Sequence, residues 1–285
     1  MAAGGAIVEA GGRRVFVQHV VRTGATRGTI LFVNGAVATI ASLRWAVKEL
    51  TDFNLVLFDF PQFGGSAAHN RGDELLTKEA EAAVILDLIA HYRPDFLAAQ
   101  SWGGAGAMLA LAQSAGSVRR VVLASFSAGL TPVLRETVGE IAAALASPEP
   151  ELAARITVER LGERLPDAAR RLNERYLLKF DPDDQARTLR QLDYVAAMDW
   201  SGDMARFGRV DMPVLFINGA ADRFTPPGSV RPFASILADP RFVAIPGAGH
   251  FLAQESPTAC GAVVRVLSGF FGTAEAPVGA LRRVG

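Results

Sequence analysis

Short runs of β-branched and aliphatic residues alternate with helical patterns over the first 125 residues. Residues 14–21 alternate apolar and polar, as a half-buried strand does. Thr29–Val33, Asn54–Asp59, Asp95–Gln100 and Val118–Ser125 are instead nearly continuous apolar runs of strand length. Strands apolar on both sides belong to parallel sheets covered by helices on both faces. Between them, Val84, Ile85, Leu88, Ile89 and Tyr92 recur at helical spacing, and Gly103–Ala112 is rich in small residues that let a helix press closely on a sheet. Strand, helix, strand, helix in this order predicts a doubly wound α/β core.

The rhythm breaks between residues 131 and 207. That segment carries no strand-like run and reads as several helices, interrupted at Pro148-Glu-Pro150, Pro166 and Asp181-Pro-Asp-Asp184. The α/β pattern then resumes with strands at Pro213–Asn218 and Arg241–Ile245. A last helix is predicted from Ser256, a capping residue followed by proline at the first helical position, to about Phe271. The expected layout is one α/β core from residues 1–130 and 208–272, a helical cap from 131–207, and a loose tail at 273–285.

Composition narrows the function. Lys plus Arg and Asp plus Glu are both 29, so the net charge is zero and nothing favours nucleic acid as a partner. The single Cys260 excludes an intrachain disulfide and a cysteine-only metal cluster, and four scattered histidines form no zinc motif. No basic, apolar leader and no apolar run of about 18 residues is present, which predicts a cytoplasmic, soluble protein.

The sharpest chemical signal is Ala99-Gln-Ser101-Trp-Gly103-Gly104, after a buried strand and before a small-residue helix. That is the setting of the G-x-S-x-G nucleophile elbow, with Ala99 in place of the first glycine. It would lift the Ser101 hydroxyl to the carboxyl edge of the sheet and aim the Trp102 N–H at a developing oxyanion. Taken alone, the stretch is equally a strand-to-helix turn with a capping serine. A serine nucleophile needs a base, and His250, in Gly247-Ala-Gly-His250-Phe251 after a strand, is the candidate. His19 lies in an edge-like strand, His91 at the end of a helix, and His69 in a loop able to approach the site.

Asp222, directly after another strand, is the orienting acid, with Asp199 and Asp203 as alternatives inside the cap. Alone it reads as a solvated turn residue, but Ser101, Asp222, His250 is the chain order of α/β-hydrolases. The second oxyanion donor is expected in the loop Val33–Val37, at the Ala36 N–H, with Val37 next in line. Asp59, in the turn after the next strand, is read as architectural, bonding loop amides.

At these motifs the chain resembles the 3-hydroxyacyl acyltransferases of the α/β-hydrolase fold. The residues that carry the resemblance are Val33-Asn-Gly-Ala-Val-Ala-Thr39, Ala41-Ser42, Phe58-Asp-Phe-Pro61, Ser66 with His69-Asn70, Leu76-Thr-Lys78, Ser101-Trp-Gly-Gly104 and Gly249-His-Phe-Leu252. Asn34-Gly35 stands where many relatives of the fold have His-Gly, and the cap matches poorly. The resemblance spans about residues 14–270. It implies a mostly parallel sheet with a helical cap and an acyl-serine intermediate formed on Ser101. The implied activity joins two 3-hydroxyacyl chains, delivered as acyl carrier protein or CoA thioesters, into 3-(3-hydroxyalkanoyloxy)alkanoate, the lipid half of rhamnolipids. Transfer of the 3-hydroxyacyl group to CoA, or its hydrolysis, is the alternative within enzymes; a non-catalytic binding protein on the same fold is the alternative outside them. No cofactor and no metal is implied, since the phosphopantetheine arrives on the substrate.

Asn34, Val37, His69, Tyr176, Phe180 and Phe251 are the candidate substrate contacts. Tyr176, Leu177, Leu178, Phe180, Tyr194 and Trp200 mark where a lid and acyl pocket are expected, although a helix core would use the same residues. Arg155, Arg160, Arg164, Arg170, Arg171 and Arg175 cluster in the cap, where an acidic carrier protein could dock. Glu159, Glu163, Asp167 and Glu174 interleave with them, which favours a solvated, ion-paired face.

Overall fold

The computed structural model describes residues 5–70, 75–147, 149–199 and 201–272. Its eight strands are β1 (Gly5–Ala10), β2 (Arg13–Val20), β3 (Thr29–Val33), β4 (Asn54–Asp59), β5 (Phe96–Gln100), β6 (Arg120–Ala124), β7 (Val214–Gly219) and β8 (Pro240–Ile245). They form one sheet in the order β1-β2-β4-β3-β5-β6-β7-β8. β1 with β2 and β2 with β4 run antiparallel, and every pairing from β4 to β8 is parallel.

The helices of the core are α1 (Arg44–Glu49), α2 (Lys78–Tyr92), α3 (Gly103–Gln113) and, at the carboxyl end, α9 (Pro257–Gly272). The continuous apolar runs are explained by two covers. Leu31, Val33, Val56, Phe58, Leu97 and Val121 point to one face, beneath α2 and α3, while Ile30, Phe32, Leu55, Leu57, Phe96 and Val122 point to the other, beneath α1 and α9. With a side-chain period of two, only a sheet buried on both sides needs both sets apolar.

Between β6 and β7 lie α4 (Pro132–Leu145), α5 (Pro150–Arg160), α6 (Asp167–Leu177), α7 (Pro182–Ala196) and α8 (Ser201–Phe207), with no strand among the described residues. The chain signals used to place these helices are in use. Thr131 caps α4, accepting a bond from the Leu134 amide, and Asp181 with Asp184 forms a reciprocal capping box on α7. At the last helix the Ser256 hydroxyl accepts a bond from the Ala259 amide. Trp200, Pro148 and the tail 273–285, all singled out in the sequence, lie outside the described residues.

Two features depart from the sequence reading. Gly5–Ala10 forms a strand that was not anticipated; it turns into β2 through Gly11 and Gly12, both at positive φ (59° and 68°). Gly-Gly between two alternating runs is a hairpin signal. Because β1 covers β2, His19 sits on the second strand in and not at an edge.

Candidate active site

The sheet reverses its strand order around β3, which has β4 on one side and β5 on the other. In open α/β sheets, ligands gather at such a switch point, beyond the carboxyl ends of the strands. Here those ends lead to Asn34, Ser101, Ser125, Asp222 and His250.

Ser101 follows β5 and has φ of 50°, a left-handed conformation that a non-glycine residue holds only where its surroundings impose it. Its N–H donates to the Ala124 carbonyl at 2.8 Å, and its own carbonyl accepts from Gly104 at 2.9 Å. The next turn is α3, whose amino end faces the site. Gly103 is required by contact: a Cβ there would lie 2.1 Å from the Asn34 carbonyl oxygen. Position 99, where the motif has its first glycine, holds a buried Ala.

His250 Nδ1 lies 3.0 Å from Asp222 Oδ2, and both side chains are buried. Asp222 is further held by the amides of Phe224 (2.8 Å) and Thr225 (3.0 Å) and by the Thr225 hydroxyl (2.5 Å). Burial acts to raise the Asp222 carboxyl, but the bonds from His250 and Thr225 outweigh it and hold the group below its usual value. Asp203 does not compete for this role: it is bonded to Lys78 and, at 3.0 Å, to Arg206.

Ser101, Trp102, Thr225 and His250 line one cavity of about 560 Å³ together with Ala36, Val37 and Phe251. Among the described residues, neither the Ala36 nor the Val37 N–H donates to another protein group. Val37 has φ of 60°, so this loop is bent sharply at the cavity wall. The far wall comes from α4 to α7 and is mainly apolar, with Leu134, Val138, Ile141 and Leu192 as examples and Thr157 and Asn173 among its polar members. Tyr176, Leu177 and Phe180 line it as well; burial, with Asp59 and Asp184 nearby, pushes the Tyr176 phenol up to about 12.

Four residues fall elsewhere than the sequence suggested; one is Leu178, 44 % exposed just beyond α6 and not on the cavity wall. Asn34, 1 % exposed, turns away from the cavity, donating to the Phe58 carbonyl and accepting from Ser42, so it braces the loop that carries Ala36. His69 is exposed at the end of the short helical turn 64–69 and does not line the cavity. Tyr194 does not line it either; its ring meets Trp102 edge-on at 5.7 Å and its hydroxyl accepts from the Lys78 amide. Asp59 accepts from the amides of Ile40 and Gly65. Two functional neighbours carried no motif. Thr225 reaches both Asp222 and His250, and Ser125, itself at φ of 50°, donates to the His250 carbonyl at 2.6 Å.

Residues 30–263 match the family described as the alpha/beta hydrolase family. The chain is 34 % identical over 250 residues to the (R)-3-hydroxydecanoyl-ACP:CoA transacylase of Pseudomonas putida, covering 87 % of this chain and 85 % of that one. The protein of the same name from Pseudomonas aeruginosa is 33 % identical over 236 residues, covering 82 % and 79 %. Among solved structures, an alpha/beta hydrolase enzyme from a Medee basin deep-sea metagenome library superposes with a TM-score of 0.78 at 18 % identity, over 96 % of this chain and all of that one. The chain therefore belongs to the alpha/beta hydrolase family and, within it, to the family that these transacylases form.

Proposed function

We propose that the protein is a serine acyltransferase that takes 3-hydroxyacyl groups from phosphopantetheine thioesters, on acyl carrier protein or CoA, and joins two of them into a 3-(3-hydroxyalkanoyloxy)alkanoate. The observation that carries this is that one largely apolar cavity has Ser101 and His250 on one wall and cap helices on the other.

His250 takes the Ser101 proton, and the serine oxygen attacks the thioester carbonyl. The Trp102 and Ala36 amides hold the resulting oxyanion. Collapse breaks the carbon–sulfur bond, the thiol leaves with the proton from His250, and an acyl-serine remains. In the second half the 3-hydroxyl of another chain gives its proton to His250 and attacks the acyl-serine. Collapse frees Ser101 and forms the ester, and one water later releases the thioester still on the second chain. Asp222, kept ionised, holds the imidazole in the required tautomer through Nδ1.

The cavity's size supports two chains. Benzene's six carbons occupy a cavity of about 150 Å³, so about 560 Å³ takes on the order of twenty carbons. Its apolar lining supports transfer over hydrolysis, because a dry pocket favours a positioned hydroxyl over bulk water. A second reading, transfer to the thiol of CoA, is favoured by the activity for which the relatives are named. Incubation with 3-hydroxydecanoyl carrier protein, with and without CoA, separates the two by product mass. A chain-dimer ester made without CoA is expected; acyl-CoA alone, or free 3-hydroxy acid alone, would overturn the reading.

A further inference from the structure

Resting on the reading of Ser101, Asp222 and His250 as the catalytic trio, we propose that residues 160–164 of the cap form a clamp that sets the base and acid loops, with Glu255 as a positioning residue for His250 and Arg164 as the cap residue that fixes Glu255.

The loop 246–251 has no regular structure, so specific bonds must hold the His250 main chain. Glu255, its side chain 5 % exposed, supplies two of them. Oε2 accepts from the Gly249 amide at 2.7 Å and Oε1 from the Phe251 amide at 3.0 Å, one on each side of His250. A buried carboxylate needs a partner, and Arg164 Nε reaches Oε2 at 3.3 Å while its Nη2 donates to the Gly247 carbonyl at 2.5 Å. The Arg164 stem passes directly over Gly249, where a Cβ would sit 2.5 Å from Arg164 Cδ.

The same stretch reaches the acid loop. Arg223, next to Asp222, donates to the Arg160 carbonyl at 3.3 Å and lies 3.6 Å from Glu163. This second contact is exposed at both ends and adds little by itself. Leu161, Gly162 and Leu165 from the same turn line the cavity. Filling the cavity therefore bears on the segment that holds the imidazole, and cap seating and base placement become one event.

Labelling of Ser101 by the small probe diisopropyl fluorophosphate tests this independently of the acyl substrate, since it reads only the serine and its base. Arg164→Met is expected to slow labelling and to lower kcat on 3-hydroxydecanoyl thioesters by the same factor, on the order of tenfold, with KM little changed. Arg164→Lys, which keeps the charge, recovers part of the loss. Glu255→Gln slows labelling similarly, and the double variant is no slower than Glu255→Gln alone, because the two residues act as one unit. Arg164 is half exposed, so Arg164→Met carries the test even if Glu255→Gln does not fold. A raised KM with unchanged labelling would make Arg164 a mere cap tether and overturn the proposal, as would single effects that multiply. Loss of thioester turnover in the native protein, with normal labelling differences among variants, would reject the substrate and leave the clamp standing.

Discussion

The sheet and the cap solve opposite problems. From β3 to β7 almost every strand residue is buried, and Phe216 is stacked between Phe233 at 5.0 Å and Phe242 at 5.3 Å. In the cap, no residue of α6 is fully buried, and Leu172 remains 47 % exposed while lining the cavity. The sheet carries Ser101, Asp222 and His250 beyond the carboxyl ends of its strands, with His250 bonded to Asp222; the cap supplies most of the apolar wall. Chemistry needs positions held to a fraction of an ångström, whereas a long, flexible chain needs only a greasy surface of the right volume. The contrast is one between a rigid frame and an adjustable container.

The largest expected effect lies wholly on the frame side. Ser101→Ala should lower acyl transfer by at least roughly ten-thousand-fold with the thermal midpoint almost unchanged, measured by product formation and calorimetry. Next, Phe216→Ala should cost about 3–5 kcal/mol of stability. Leu172→Ala should stay within about 0.5 kcal/mol, as an exposed cap position would. Equal losses in denaturant unfolding would erase the contrast.

A third test concerns Glu81 on α2, buried behind the elbow, where its carboxyl accepts from the Trp102 indole at 2.9 Å. Burial, with Glu79 nearby, raises this group from 4.5 to about 8, against the lowering effect of the indole bond. A raised folded value means that the neutral form is the one the fold holds. The stability it contributes is therefore complete below about pH 4.5 and is lost as the pH rises to about 8. Glu81→Gln should match the native protein near pH 4.5 and exceed it near pH 8 by an amount on the order of a few kcal/mol. Parallel thermal midpoints across that range would show that the carboxyl is not held neutral.

The smallest effect is on the container. Ile141→Phe, on α4 deep in the cavity, should shift preference toward shorter acyl chains by about tenfold in kcat/KM. Ser101 labelling should slow far less than in Arg164→Met, since Ile141 lies on α4, outside the clamp at residues 160–164; an equal slowing would mean that the whole cap wall, and not the clamp alone, sets the base.

The frame was the more legible half. Strands buried on both faces, such as Val33 with Ala99, leave apolar runs of strand length bounded by turn residues, and Ser101, Asp222 and His250 each follow one. The hairpin β1–β2 escaped because its outer strand is largely exposed and so carries no hydrophobic signature; only Gly11-Gly12 betrays it. Asn34 stands in the motif that leads to the cavity residues Gly35 and Ala36, and nothing in that motif separates a substrate contact from a brace. The Asn34 carboxamide bonds Phe58, which is 24 positions away. Arg164 and Glu255 are 91 residues apart and on separate parts of the fold, so their meeting has no local sequence signal, and Arg164 looked like one charge in an ion-paired face. The cap wall of the cavity is built by four helices, α4 to α7, together, and Tyr176 and Phe180 reach it while Tyr194, on the same segment, turns to Trp102.

The central claim is that Ser101 carries the acyl chain between donor and acceptor. Intact-mass measurement of the protein mixed with one equivalent of 3-hydroxydecanoyl carrier protein tests it most directly. The expected result is a gain of one 3-hydroxydecanoyl group, mapped to the Ser101 peptide, that disappears as dimer ester forms when more substrate is added. No adduct in the native protein, or an adduct that persists in Ser101→Ala, would contradict the account.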